Sequence, residues 1–127
     1  MHGELPKLEG LSCEAMYCQS FVANGALVDN ANVTYARFAG KWHRLAIDFP
    51  AFFWRVTDQE TPGFAVETEG WNYPLADVGA EAEVVGQQLL ALVVSSSAES
   101  ATVDFAFPGG RTVRIRGTLE GTNYSVI

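Results

Sequence analysis

The feature that most constrains this chain is the two-residue alternation of residues 101–116, ATVDFAFPGGRTVRIR. Side chains on a strand point to opposite faces in turn. Val103, Phe105 and Phe107 therefore share one face, and Thr102, Asp104 and Ala106 share the other. After the turn, Val113 and Ile115 alternate with Thr112, Arg114 and Arg116. A two-residue loop at Gly109-Gly110 would set Phe105 against Arg114 and Asp104 against Ile115. A three-residue loop at Pro108-Gly109-Gly110 sets Phe105 against Val113, Val103 against Ile115 and Asp104 against Arg114. A slip of one residue moves every side chain to the wrong face, so the second register is the expected one. Pro followed by Gly suits a type I turn closed by a left-handed residue.

The same reasoning predicts a hairpin from residues 32–38 and 42–49 around Ala39-Gly40-Lys41. A three-residue loop there pairs Tyr35 with Leu45 and Val33 with Ile47, with Phe38 against Trp42 and Ala36 against Arg44. Residues 19–28 read as a preceding strand, with Asp29-Asn30 as its turn. Pro50 breaks the run, and residues 52–56, FFWRV, read as the next strand. Thr61-Pro62-Gly63 reads as a turn, and residues 64–68 as a short strand with Phe64 and Val66 inward. Residues 76–94 are ambiguous. Val78, Ala82, Val85 and Leu89 fall at helical spacing behind an Asp77 cap, but Gly86 interrupts them and Leu90, Leu92 and Val94 alternate. The expectation is a short helix over 77–85 and a strand over 88–94, hairpinned to 101–107 across Ser95-Ser96-Ser97; one long helix is the alternative. Ser12 as a cap predicts another short helix over 12–17.

The fold class expected is thus α+β and strand-rich, as one domain over residues 1–127 with residues 1–10 poorly ordered. It would be an antiparallel curved sheet or a partly open barrel of about six to eight strands with one or two short helices.

Charge narrows the function classes. With 8 Lys plus Arg against 15 Asp plus Glu, the net charge is −7. Nucleic acid and anionic membranes call for a positive field, so neither is an expected partner. No apolar run approaches the length of a membrane helix and no secretory leader is apparent, so a soluble, cytoplasmic protein is expected. Residues 56–110 carry Asp58, Glu60, Glu67, Glu69, Asp77, Glu81, Glu83, Glu99 and Asp104 but no Lys or Arg. Such a stretch is either a solvated surface or an acidic face offered to a basic protein partner.

Chemistry-bearing motifs are sparse. Cys13 and Cys18 lack the spacing of a zinc or redox pair and read as reduced, partly buried thiols. No nucleophile elbow, phosphate loop or dinucleotide fingerprint occurs, so no cofactor and no metal are expected. His43 shares a strand face with Leu45 and Ile47; an enzyme working through His43 would need distant carboxylates. The aromatic residues say more. Phe49, Phe52, Phe53, Trp54, Phe64, Trp71 and Tyr73 lie close in sequence. Most such aromatics build a core, but Phe53, Trp54, Arg55, Trp71 and Tyr73 are the candidates for an interaction or ligand surface, because Trp, Tyr and Arg dominate binding energy at interfaces.

The order Val85-Gly86-Gln87, an apolar strand, a short polar loop, Val103-Asp104-Phe105-Ala106-Phe107, a glycine turn and Arg111-Thr112-Val113-Arg114-Ile115 resembles small bacterial domains. Some of these are similar to immunity proteins that neutralise polymorphic toxins. The resemblance implies a small binding protein, and an acidic surface would suit a basic toxin. The expected function is a non-enzymatic interaction protein, bound to a basic partner or to itself as a homodimer. The alternatives are an apolar-ligand carrier with a cavity in a curved sheet and an enzyme of unknown type using His43.

Overall fold

Long alternating segments give long strands, and bulges decide where they bend. The computed structural model describes residues 2–57 and 71–127. Among them, one sheet runs in the order β4 (Ala51–Thr57), β3 (Lys41–Asp48), β2 (Ala26–Phe38), β1 (Cys13–Ala23) and β5 (Trp71–Asn72), with β6 (Leu75–Ala76) also on β1. The second sheet runs β10 (Gly121–Val126), β9 (Thr112–Thr118), β8 (Ala101–Ala106) and β7 (Ala91–Ser96). Every pairing between these strands is antiparallel. The only α-helix among the described residues is the four-residue α1 (Val78–Glu81). No helix among the described residues is long and apolar enough to cross a membrane.

The fold is therefore two antiparallel sheets and not a partly open barrel, with more strands and less helix than expected. One core joins them. Met16, Phe38 and Leu45 from the first sheet meet Val103, Phe105, Val113 and Ile115 from the second. Each such side chain contributes about 1.5–3 kcal/mol by leaving water.

The C-terminal register is the one expected. Phe105 pairs with Val113, Val103 with Ile115 and Asp104 with Arg114, around the three-residue loop Pro108–Gly110, in which Gly109 (φ 79°) and Gly110 (φ 76°) are both left-handed. The β7–β8 hairpin across the serines also forms, with Val94 against Val103. Its loop is held by the Ser97 hydroxyl, which accepts from the Glu99 and Ser100 amides.

The rest of the chain departs from expectation in four places. Residues 12–17 form strand and not helix, because a bulge at Glu14 shifts the register between Cys13 and Ala15. The extra residue turns both Cys13 and Met16 inward, and their i, i+3 spacing then mimics a helix. Asp29-Asn30 is no turn; it lies within β2, and the turn is Asn24-Gly25, where both residues have positive φ (51° and 80°). The β2–β3 loop has two residues and not three, so Thr34 faces Leu45 and Phe38 faces Lys41. Ala39 (φ 50°) and Gly40 (φ 74°) are both left-handed, the type I′ geometry that matches strand twist.

The fourth is the stretch 76–94. Asp77 caps the helix as expected, its Oδ1 accepting from the Ala80 amide at 3.1 Å, but the helix stops at Glu81. Glu83 has φ 57°, which no helix tolerates. Gly79 faces Met16, where a Cβ would press on the Met16 amide at 3.1 Å, so the turn packs tightly on β1. The following strand starts at Ala91, later than expected. Before it, the Cys13 and Gly86 amides donate to Gln87 and Cys13 carbonyls, and Gly10 and Leu89 amides to Leu89 and Leu11. One segment thus leaves the edge of β1 and enters the second sheet. The expected turn at 61–63 and strand at 64–68 lie outside the described residues.

Candidate functional site

The opposite seam between the sheets is made by side chains. The register of β1 on β2 shifts between Gln19/Val33 and Phe21/Asp29, which takes Asn30 out of the regular pairing next to Asp29, itself opposite Phe21. Asp29 and Asn30 meet the outer edge of β10. Asp29 Oδ1 accepts from the Thr122 amide at 2.7 Å, and Asn30 Oδ1 from the Tyr124 amide at 2.7 Å. The Asn30 amide donates to Asn123 Oδ1 at 3.0 Å. The buried Thr122 hydroxyl donates to the Ile47 carbonyl at 2.9 Å. Gly121, at φ 145°, lies where a Cβ would collide with the Asp29 carboxylate. Glycine at this position allows the close approach.

Beside this seam lies a groove of about 370 Å³ between the β3–β4 turn and the β9–β10 turn. Asp29, Asp48 and Glu120 line it together with Ile47 and Phe49, and among the described residues its lining holds no Lys or Arg. A second groove, of about 380 Å³, shares Phe49, Leu119 and Glu120 and adds Glu99 and Arg116. Between the two stands Leu119, which is 88% exposed. Leu27 and Val28 leave further apolar surface exposed, and Val28 also lines the first groove. The site is a leucine ridge with carboxylates on both flanks.

These carboxylates are mostly not those of the acidic stretch 56–110. Asp58, Glu60, Glu67 and Glu69 lie outside the described residues. Asp77 caps α1, Glu81 accepts from the Tyr124 hydroxyl, Glu83 pairs with Arg111 at 2.8 Å and Asp104 with Arg114 at 2.8 Å. Of the described carboxylates in that stretch, Glu99 alone reaches the grooves. Sequence reasoning missed Leu119; the available signal was a lone leucine between two strand ends, in Thr118-Leu119-Glu120-Gly121.

The aromatic candidates are not brought together. Phe53, Trp54 and Arg55 lie on β4, at one edge of the six-stranded sheet, whereas Trp71 and Tyr73 lie at the other. Alternation separates even the first three. Trp54 is buried, while Phe53 and Arg55 are exposed on the outer face. Arg55 closes a cross-strand row with Arg44, Tyr35 and Tyr17. Tyr73 stacks on Phe21 with ring centroids 5.3 Å apart, and the Trp71 backbone pairs with Ala23.

The reactive groups are quiet. Burial pushes both thiols up to about 12, so they stay protonated at neutral pH. Cys18 Sγ lies 3.3 Å from the Thr34 hydroxyl. His43 is buried on the same face as Leu45 and Ile47. Burial, and next the nearby Lys41 charge, lower its pKa from 6.5. Its Nδ1 has no hydrogen-bond partner among the described residues, nor has Trp54 Nε1. The Tyr124 phenol, desolvated and donating to Glu81, is held up at about 12. Among the described residues no cluster of His, Cys, Asp and Glu could hold a metal ion.

No family model matches this chain, and neither the curated proteins nor the solved structures compared with it contain a match.

Proposed function

We propose that the protein is a non-enzymatic binding domain that presents the leucine ridge and its acidic grooves to a basic protein partner. The observation that carries this reading is Leu119, 88% exposed between two grooves that both include Glu120. A single exposed leucine is ordinary; one raised between concave acidic walls is a shape a partner can grip. Covering such a side chain is worth about 1.5–3 kcal/mol. The carboxylates would set orientation and association rate, and towards a short basic peptide they would supply most of the affinity as well. A basic partner also accords with the net charge of −7 and with the resemblance of the C-terminal stretch to small bacterial domains, some of which are similar to immunity proteins.

The test is an amide-resolved NMR titration with a synthetic peptide of alternating lysine and leucine. Shifts are expected at residues 46–49 and 118–122. They should vanish in the Asp48→Lys/Glu120→Lys double variant and at about 0.5 M salt, where screening reaches only a few ångströms. Shifts that survive both, or that scatter over the surface, would sink the reading.

A further inference from the structure

We propose that β4 is the edge through which two copies of this chain pair, and that His2 is a strap that keeps this edge shut in the monomer. Among the described residues β4 ends its sheet, so one side of its backbone has no neighbouring strand there. His2 occupies part of that side. Its amide donates to the Phe52 carbonyl at 2.8 Å, and the Trp54 amide donates to the His2 carbonyl at 2.9 Å. Its ring lies flat on Phe53, centroids 4.6 Å apart and planes 7° from parallel. The strap is one residue long in pairing terms. By strand alternation the Val56 amide points outward with that of Trp54, and Val56 is 57% exposed.

The edge is complementary to itself. Antiparallel pairing about a two-fold axis at Trp54 overlaps all 7 residues of β4. It uses the same outward groups that His2 now uses, since Phe52, Trp54 and Val56 direct their amides and carbonyls outward together. Phe52 then faces Val56 of the partner subunit. Arg55 faces Phe53 of the partner subunit, so a guanidinium takes the place that the flat His2 ring holds, in a favourable cation–π arrangement. Moving the axis to Arg55 would oppose two arginines and is disfavoured. Such a contact is isologous and closes as a dimer. Strap and second copy compete for the same hydrogen bonds, so pairing depends on concentration.

Two substitutions push in opposite directions. Gly3 sits at φ +84°, where a Cβ would collide with the Trp54 carbonyl; Gly3→Ala therefore lifts the strap off the edge. Val56→Pro removes an outward amide and takes no bond from the β3–β4 ladder. Sedimentation velocity of the full chain over a concentration series reads the outcome, with far-UV circular dichroism as the control for folding. The wild type should shift from monomer towards dimer as concentration rises. Gly3→Ala should dimerise at least about tenfold more tightly, since each of the two chains no longer gives up two strap hydrogen bonds on pairing. Gly3→Ala with Val56→Pro should return to monomer. A Gly3→Ala protein that stays monomeric throughout, or a dimer that survives Val56→Pro, overturns the proposal.

Discussion

Replacing Asp29 by alanine tests the side-chain seam that frames the groove. Asp29 Oδ1 accepts from the Thr122 amide at 2.7 Å, and Thr122 is only 5% exposed. Two costs follow. A hydrogen bond to a charged acceptor is worth about 1.5–3 kcal/mol, and a buried amide left without an acceptor costs about 1–3 kcal/mol. These describe the same bond from two sides, so they do not add. A net loss of about 2 kcal/mol is expected, or roughly 6–10 °C in Tm for a domain of this size. Asp29→Asn keeps an acceptor oxygen and should lose less than about half of that. Urea denaturation of the three proteins gives the energies. Hydrogen exchange at the Thr122 amide gives the location, and its protection should fall in Asp29→Ala well before that of Ile115 in the strand behind it. A loss below about 0.5 kcal/mol, the ordinary range for a surface substitution, would refute the seam. So would Asp29→Asn behaving as Asp29→Ala.

Three further outcomes are expected. The folded-state pKa of His43 is lowered from 6.5, so below that pH the unfolded chain takes up a proton the folded one refuses; stability is lost with acidification, at up to about 1.4 kcal/mol per pH unit. His43→Leu should flatten the pH dependence of stability between neutrality and about pH 5; an unchanged slope would show that other groups cause it. The buried thiols, pushed up to about 12, should react with a disulfide reagent at pH 8 only as fast as the chain unfolds, and a rate that rises with reagent concentration without limit would contradict their burial. Gly117→Ala would drive a methyl into Ile47 and should cost about 1–3 kcal/mol, measured by the same denaturation; a neutral result would mean the two sheets are less tightly apposed there.

How far the fold could be read from the residues depended on where its period was interrupted. Residues 101–116 were legible because nothing disturbs their alternation and Asp104–Arg114 marks the polar face. Residues 12–38 were not, because bulges at Glu14 and near Asn30 shift the phase within single strands. A reader counting every second residue then finds turns and helices that are not there. The Ala39-Gly40 turn was missed for a different reason. It places an alanine at φ 50°, where asparagine or glycine is the usual signal. For the candidate surfaces, the aromatic cluster at 52–55 lies on the last strand of its sheet among the described residues, and alternation splits Trp54 from its neighbours. The groove was invisible, since Asp29 comes from β2, Asp48 from the end of β3 and Glu120 from the β9–β10 turn, and only folding gathers them.

The side-chain seam also bears on how the chain is made. Asp29 and Thr122 stand 93 positions apart, and β1 finds its partners at Gly86–Leu89 only after most of the chain exists. During synthesis β1 through β4 can zip locally, hairpin by hairpin, while the core face of that sheet waits uncovered for β8 and β9. Contacts so distant in sequence slow folding. Until the last turn emerges, the nascent sheet carries an open apolar face and two open edges, and the ribosome and whatever attends it must keep that surface from meeting another like it.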